Sequence, residues 1–333
     1  MRAIVQDRYG SPEHLRVAEV DPPSLTDNGV LVRVRASSIN AGDWRRVRAA
    51  PLLIRASEGW RRPRNPLLGG DAAGIVEAVG SAVTHLAPGD RAYGIRTGSF
   101  AELVNGRSFV RMPANLDFAE AAAVPIAGVT ALQAVRDHGH IRPGDRVLVN
   151  GAGGGVGTMA VQIAAADGAE VTAVTGPRTV EMVRTLGADR VIDYTREDFT
   201  RTAGGYDVTI DLGGNRTVRA LRRTLAPGGR LVLVGAGAGR LGPMTRLAGG
   251  LIRMRLLRQP IAMFLAAVRT DDLDALTVLI EAGKLRPAID RTYPLEQVPE
   301  ALAYVESGKA RGKVVITIGA GESPAQEHGA GTP

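Results

Sequence analysis

Short apolar runs separated by turn residues fill the first third of the chain. Residues 3–5, 30–36, 73–79 and 91–93 have the composition of β-strands, and clusters of Asp, Asn, Gly and Pro lie between them. This pattern predicts a small β domain. From Glu120 onward the apolar residues recur with helical spacing, which predicts a domain boundary near residue 122.

The middle of the chain alternates predicted strands with predicted helices. We expect strands at residues 146–149, 170–175, 190–193, 207–211 and 230–235, and helices at 156–166, 179–186 and 217–225. Strands that are joined by helices form right-handed crossovers. The pattern therefore predicts a parallel sheet covered by helices.

The end of the chain predicts a return to the first domain. Beyond residue 268 we expect helices at residues 271–282 and 299–306, followed by a last strand at 313–318. No helix follows that strand, so the sequence leaves it able to pair with the early β region. The tail at 319–333 is rich in Gly, Ala, Glu and Pro, and this composition predicts disorder.

A glycine-rich turn follows the apolar strand at residues 147–150. A diphosphate needs backbone N–H donors at close range and a helix N-terminus directed at it, which requires residues without a Cβ. Five glycines would also suit a flexible loop, but this turn follows a strand and opens an amphipathic helix, as in a βαβ unit. Ala152 takes the first glycine position of the usual motif. The predicted dinucleotide-binding residues of the turn are Gly151, Gly153, Gly154, Gly155, Val156 and Gly157.

The end of the second strand of that unit indicates which dinucleotide is preferred. An Asp or Glu there would bind the ribose 2′-hydroxyl of NAD and repel a 2′-phosphate. The residues after Val174 are instead Thr175-Gly176-Pro177-Arg178, which offer a hydroxyl and a guanidinium. We therefore predict NADP(H) as the cofactor, with Thr175 and Arg178 at its phosphate. The alternative is that Arg178 is an ordinary surface residue at a helix start.

Composition excludes several other functions. The net charge of +7 comes mainly from scattered arginines, without a long run of like charges, so we expect no nucleic-acid partner. The chain has no cysteine, which excludes disulfides, thiolate zinc ligands and cysteine nucleophiles. No apolar run approaches the roughly 18 residues that span a bilayer, and charged residues interrupt the first apolar segment. We therefore expect a cytoplasmic protein with no membrane partner.

Further motifs occur in a fixed order along nearly the whole chain. They are residues 37–44 (SSINAGDW), 69–76 (GGDAAGIV), 124–131 (VPIAGVTA), the glycine turn, and 186–189 (LGAD) followed by 192–194 (IDY). In this order they resemble the medium-chain dehydrogenase/reductase superfamily, and within it the zinc-independent quinone oxidoreductase branch. The resemblance implies an α/β fold with a GroES-like β domain from residues 1–122 and 269–333. It implies a Rossmann domain with a doubly wound parallel sheet from residues 123–268, and a cleft between the two.

The resemblance also implies chemistry without zinc. In zinc-dependent alcohol dehydrogenases of the superfamily, a Cys lies where Asn40 lies here, and a His-Glu pair lies where Gly70-Asp71 lies. A catalytic zinc needs three protein ligands, so we predict no metal site. The branch transfers hydride from NADPH to a quinone or an α,β-unsaturated carbonyl compound, whose β-carbon is already electrophilic. We therefore expect a small conjugated carbonyl compound or quinone as the substrate.

Matching positions imply roles for four more residues. Asn40 and Thr130, the candidate catalytic residues, are expected near the nicotinamide or its ribose. Tyr194 is expected near the adenosine half of the cofactor, and Gly235 beside the cofactor at a strand end. The alternatives are that Asn40 is a turn residue at a strand end and that Tyr194 only packs on the sheet.

Other functions stay open on the sequence. One is a specialised biosynthetic reductase or cyclase of the same fold, and another is a protein that binds NADPH or RNA without catalysis. A short-chain dehydrogenase is not expected, because no tyrosine has the lysine four residues later that this class needs for proton transfer. We also expect a homodimer.

Overall fold

The computed structural model describes residues 1–50, 54–202, 204–234 and 260–319. Most strands in these ranges form two large sheets. In chain order, the strands are β1 (Arg2–Val5), β2 (Arg16–Glu19), β3 (Val30–Ile39), β4 (Asp71–Val79), β5 (Arg91–Ile95), β6 (Leu103–Gly106), β7 (Ser108–Arg111), β8 (Arg146–Asn150), β9 (Glu170–Thr175), β10 (Arg190–Asp193), β11 (Tyr206–Asp211), β12 (Leu225–Val234), β13 (Ile261–Phe264), β14 (Ile289–Pro294) and β15 (Lys313–Thr317).

The helices cover the sheets and connect their strands. The α-helices are α1 (Ala41–Arg48), α2 (Ile54–Glu58), α3 (Phe118–Ala122), α4 (Pro125–Leu132), α5 (Gly155–Ala166), α6 (Val180–Thr185), α7 (Phe199–Thr202), α8 (Val218–Leu221), α9 (Thr270–Glu281) and α10 (Val298–Glu306). A π-helix at Gln133–Gly139 extends α4, and short 3-10 turns lie at Pro12–His14, Pro177–Thr179, Arg222–Thr224 and Leu295–Gln297.

The parallel sheet contains six strands in the order β10-β9-β8-β11-β12-β13. Its central strands are apolar and buried, as parallel strands with helices on both faces must be. The predicted parallel sheet is therefore confirmed. The chain leaves β8 in one direction and β11 in the other, and the carboxyl ends of strands at such a point open a crevice for ligands.

Strand β12 begins earlier than the sequence predicts. The predicted helix at residues 217–225 ends as an α-helix at Leu221, and β12 starts at Leu225 rather than at residue 230. Leu225 pairs with Tyr206 of β11, and the register then shifts before Arg230 pairs with Val208. The turn residues Pro227 and Gly228 bulge out in this interval, because the strand pairs on both sides of them.

The second large sheet is mixed and contains seven strands. Six follow the order β14-β15-β3-β4-β5-β7, and β6 pairs with β3. Strand β15 runs antiparallel to β3, with Val315 opposite Ser38, so the predicted pairing of the last strand with the early β region is confirmed. The domain limits at residues 1–122 with 269–333, and 123–268, stay a prediction. The predicted disorder of the tail concerns residues 320–333, which lie outside the described residues.

The two sheets meet where β15 begins. The Gly312 amide donates to the Gly153 carbonyl oxygen at 2.9 Å, and Gly312 also forms an isolated parallel bridge with Gly154. Gly312 has a φ of 86°, and a Cβ there would lie 2.3 Å from the Ala288 carbonyl oxygen, so only glycine fits. The strand that returns to the mixed sheet therefore starts on the glycine turn of the parallel sheet.

Helix α5 packs directly on the turn that precedes it. A Cβ at Gly157 would lie 2.2 Å from the Gly151 carbonyl oxygen and 2.7 Å from the Ala152 Cα. Because these atoms belong to the backbone of the turn, we expect Gly157→Ala to push the helix away from the sheet. The free energy of unfolding should fall by about 2–3 kcal/mol, as in other overpacked cores. Urea denaturation followed by circular dichroism measures this loss.

Gly154→Ala is the matched control for that variant. Its Cβ would meet nothing closer than the Gly151 carbonyl oxygen at 3.6 Å. Gly154 is the N-cap of α5, so the substitution removes only a capping preference, and we expect a loss below about 1 kcal/mol. Equal losses in the two variants would contradict this account of the packing.

Candidate active-site cleft

A cleft of ≈ 600 Å³ opens beside the carboxyl ends of β8 and β9, where the glycine turn meets the start of β15. It lies at the side of the parallel sheet where the strand order predicts a ligand crevice. The cleft brings together nine residues that the sequence singled out, namely Asn40, Gly151, Gly153, Gly154, Gly155, Val156, Thr175, Arg178 and Tyr194.

The glycine turn forms a cradle on the cleft wall. Gly151 has a φ of 86°, and a Cβ at Gly153 would lie 2.5 Å from the hydroxyl oxygens of Thr175 and Thr179. Gly154 also lines the cleft, and a Cβ there would meet nothing closer than the Gly151 carbonyl oxygen at 3.6 Å. Helix α5, with twelve residues, begins at Gly155, and the first N–H groups of a helix have no partner within it. An open approach to these donors, at the positive end of the helix dipole, fits a diphosphate.

The end of β9 places two hydroxyls and a guanidinium at one end of the cleft. Thr175 is buried, and its hydroxyl shares a hydrogen bond with that of Thr179 at 2.5 Å. Arg178 is exposed, and its guanidinium donates to the Lys309 carbonyl oxygen. Tyr194 is 48% exposed and faces Gly176, where a Cβ would lie 3.1 Å from the Tyr194 hydroxyl oxygen. A ligand that binds the glycine turn could therefore also contact these side chains.

Among the predicted site residues that the structure describes, two do not line this cleft. Thr130 lies in α4 and donates its hydroxyl to the Ile126 carbonyl oxygen at 2.6 Å. Gly157 lies under the turn, where it allows α5 to pack. Gly235 lies outside the described residues. Their proposed roles toward the cofactor stay predictions.

A buried cluster of charged and amide groups surrounds Asn40, which also lines the cleft. The Lys313 ammonium donates to the Asn40 Oδ1 at 2.8 Å and to the Ile39 carbonyl oxygen at 3.2 Å, and it lies 3.3 Å from the Asp71 Oδ2. The same Asp71 oxygen accepts from the Asn40 Nδ2 at 2.7 Å. Its Oδ1 accepts from the Ile126 amide at 2.8 Å, near the start of α4. Asn40 is thus held between a cation and an anion.

A smaller apolar cavity of ≈ 210 Å³ lies beside α4. Ala127 lines the main cleft, whereas its neighbour Ile126 lines this cavity. Adjacent residues of α4 therefore line the cleft and the cavity. Its lining consists of Ile95, Ile126, Val129, Ala266, Ala267 and Val268.

Comparison with known proteins identifies the family. The sequence matches the profile of the alcohol dehydrogenase GroES-like domain over residues 26–133 and that of the zinc-binding dehydrogenase over residues 186–316. The mitochondrial NAD(P)H oxidoreductase RTN4IP1 of Mus musculus is 32% identical, over 96% of this chain and 89% of its own. The chain belongs to the medium-chain dehydrogenase/reductase superfamily. The mixed sheet is accordingly its GroES-like domain and the parallel sheet its Rossmann domain.

Other members of the superfamily match over similar lengths. The chloroplastic NADPH-dependent alkenal/one oxidoreductase of Arabidopsis thaliana is 31% identical, over 95% of this chain and 79% of its own. The solved structure of the quinone oxidoreductase from Coxiella burnetii has a TM-score of 0.84 at 28% identity, with 96% of this chain and 99% of that chain covered. The predicted superfamily and fold class are therefore confirmed.

The side chains present differ from the ligand set of zinc-dependent members of the superfamily. Across the described ranges, no group of three His, Cys, Asp or Glu side chains could hold a metal ion. A Cβ at Gly70 would lie 2.5 Å from the Ile126 Cδ1, so a larger side chain there would have to displace Ile126.

Among the residues that the structure describes, no helix is long and apolar enough to cross a membrane.

Lys313 is the main site residue that the sequence did not single out, and Arg311 and Thr179 also line the cleft unpredicted. Lys313 is one of three lysines in the chain, and it begins the apolar strand KVVIT. The available signal was that a lysine, a rare residue in this chain, begins a strand whose other residues are mostly apolar. Its partners could not be found from sequence, because Asn40 and Asp71 lie more than 240 residues away.

Asp43 adds a second buried carboxyl group near the cluster. Its Oδ2 accepts from the backbone amide of Asn40 at 2.7 Å. The pKa of Asp43 is raised from 3.8 to about 7, mainly by burial and also by the nearby charge of Asp71, against the opposing effects of the Asn40 hydrogen bond and Lys313. Near neutral pH this group therefore carries a proton that an exposed aspartate would lose.

The raised pKa predicts how stability depends on pH. Well below pH 3.8, Asp43 is protonated in both the folded and the unfolded chain, so its favourable contribution is complete. As pH rises to about 7, the unfolded chain loses the proton while the folded chain keeps it, and this contribution is lost. We expect the free energy of unfolding of Asp43→Asn, minus that of the wild type, to increase by about 4 kcal/mol between pH 4 and 8.

Urea denaturation across this pH range measures that difference. Asp21→Asn is the control, because Asp21 is exposed and keeps its water contacts when the chain folds. The free energy of unfolding of Asp21→Asn, minus that of the wild type, should not change with pH. A flat difference for Asp43→Asn as well would contradict the prediction.

Proposed function

We propose that this protein is a zinc-independent oxidoreductase that uses NADPH to reduce a quinone or an α,β-unsaturated carbonyl compound. One observation carries the proposal: a single cleft joins the glycine cradle to the buried Asn40 cluster, close to an apolar cavity. The cleft thus has a diphosphate-binding end and an oriented polar end. Two of the similar proteins, a quinone oxidoreductase and an NADPH-dependent alkenal/one oxidoreductase, support the proposal.

Each part of the cleft then has a task. The N–H groups at the start of α5 bind the diphosphate, and Asn40 orients the nicotinamide end. When bound, the reduced nicotinamide supplies the hydride. The apolar cavity at Ile126 and Val129 suits the hydrocarbon part of a conjugated acceptor and excludes water from it. The reduction also consumes one proton, which water can supply, so we name no acidic side chain as the donor.

We propose that the reaction needs no zinc. A simple ketone needs a Lewis acid or a proton donor at its oxygen for hydride transfer, whereas a conjugated acceptor already has an electrophilic β-carbon. The described residues of the cleft offer backbone and amide hydrogen bonds rather than a set of metal ligands. Conjugated acceptors therefore match the chemistry of the site better than simple alcohols or ketones.

NADPH oxidation followed at 340 nm tests the proposal. We expect turnover with at least one member of a panel of benzoquinone, naphthoquinone, an enone and an enal, and none with a saturated ketone. A chelator should leave the rate unchanged, and metal analysis should find no stoichiometric zinc. Binding of NADPH or RNA without turnover of any acceptor would contradict the proposal and favour a binding protein.

Gly154→Ala tests the role of the cradle in NADPH binding and is expected to leave the fold intact. Its Cβ would enter the open side of the turn, where the diphosphate is expected, without touching protein atoms closer than 3.6 Å. We expect the Kd for NADPH to rise at least tenfold, because the backbone can no longer approach the diphosphate. Gly204→Ala is the matched control, since its Cβ also meets nothing closer than 3.7 Å but lies away from the cleft. Unchanged NADPH binding in Gly154→Ala would place the cofactor elsewhere.

We further propose that NADPH is preferred over NADH. The end of β9 offers Arg178 and no acidic side chain to the ribose 2′ position. We expect Arg178→Ala to raise the Kd for NADPH about tenfold and to leave that for NADH unchanged, because a charged hydrogen bond to the 2′-phosphate is lost.

Titration of both nucleotides by fluorescence measures the preference. Arg184→Ala is the control, since Arg184 is an exposed arginine on the following helix and pairs with Glu181. The preference is falsified if the wild type binds NADH and NADPH equally and Arg178→Ala leaves the ratio unchanged.

The homodimer and the cytoplasmic location expected from the sequence stay predictions.

A further inference from the structure

We propose that Lys313 is a positioning residue, which holds the Asn40 side chain in one orientation at the nicotinamide end of the cleft. The inference rests on the proposed function, because it assumes that the cleft binds NADPH. It concerns a residue of the last strand, far in sequence from the nucleotide-binding motif.

The contacts of Lys313 leave it no donor for a ligand. An ammonium has three N–H groups, and here they are directed to the Ile39 carbonyl oxygen, the Asn40 Oδ1 and the Asp71 Oδ2. The Lys313 side chain is only 2% exposed. Lys313 therefore acts on a bound cofactor through Asn40 rather than by direct contact.

Charge fixes which way the Asn40 amide faces. Its Oδ1 accepts from the Lys313 ammonium, and its Nδ2 donates to the Asp71 carboxylate. A rotation of the amide by 180° would place its N–H₂ group against the ammonium and its oxygen against the carboxylate. Both contacts would then be repulsive, so one orientation is retained. Asn40 lines the cleft, and the amide hydrogen that Asp71 does not use remains for a ligand.

The stem of Lys313 links Asn40 to the cradle. A Cβ at Gly155 would lie 2.7 Å from the Lys313 Cδ, so the stem crosses the first residue of α5. The preceding Gly312 is hydrogen-bonded to Gly153. The distance between the diphosphate end and the Asn40 end is therefore set by one residue that touches both.

A simple counter-ion role is the competing explanation. Asp71 is fully buried and needs compensation for its charge. It already accepts from the Ser38 hydroxyl at 2.6 Å, the Asn40 amide and the Ile126 backbone. If Lys313 only neutralised Asp71, its loss would affect stability and would not distinguish one half of the cofactor from the other.

Two ligands separate these roles. NADPH spans the whole cleft, whereas 2′,5′-ADP carries only the adenosine half and its phosphates. We expect Lys313→Met to raise the Kd for NADPH about tenfold, as for loss of a hydrogen bond to a charged group, and to change that for 2′,5′-ADP by less than about twofold. Asn40→Ala should show the same pattern. In the double variant, the second substitution should add little, because both act through one contact.

Lys284→Met is the matched control, because Lys284 is exposed and lies away from the cleft. It should bind both ligands as the wild type does. If Lys313→Met does not fold, Lys313→Arg keeps the charge beside Asp71 but moves Asn40 with its larger head, and it should weaken NADPH alone. Equal weakening of the two ligands, or weakening of neither, overturns the inference. Intact NADPH binding by the wild type without turnover of any acceptor overturns the proposed function alone.

Discussion

The contact between Gly312 and the glycine turn is the constraint on which the rest of the site depends. A backbone hydrogen bond from Gly312 to Gly153 ties the last strand of the GroES-like domain to the phosphate turn of the Rossmann domain. Both residues must be glycine in these positions, because a Cβ at Gly312 would lie 2.3 Å from the Ala288 carbonyl oxygen and one at Gly153 would lie 2.5 Å from the Thr175 and Thr179 hydroxyls. The cleft forms beside this backbone contact.

The junction also contains buried charge, which is costly unless it is fully paired. Asp71, Lys313 and Asn40 satisfy one another, and Asp71 in addition caps the start of α4 through the Ile126 amide. One carboxylate thus stabilises a helix start, a lysine and an amide at the same place. This arrangement gives the polar end of the cleft a fixed geometry before any ligand binds, which is the condition for orienting a reactant without further reorganisation.

Much of the fold could be predicted because its signals are local. Apolar strands that alternate with helices identified the parallel sheet, and the glycine turn between β8 and α5 identified the nucleotide site. The predicted start of β12 was wrong because the first residue pair between β12 and β11 lies before a bulge at Pro227 and Gly228. The residues at the bulge indicate only a turn. Thr130 matches a family motif, yet its hydroxyl bonds within its own helix, which its sequence position does not reveal.

The sequence by itself determined the superfamily, the Rossmann crossover and the absence of cysteine ligands, because each depends on residue type and short-range spacing. Only the tertiary structure decided that Lys313 meets Asn40 and Asp71, and that Gly312 meets Gly153. These pairs lie more than 150 residues apart, and nothing in the local pattern of either partner specifies the other. The physical reason is that β15 pairs with β3 in one sheet while its first residues rest on the turn of the other.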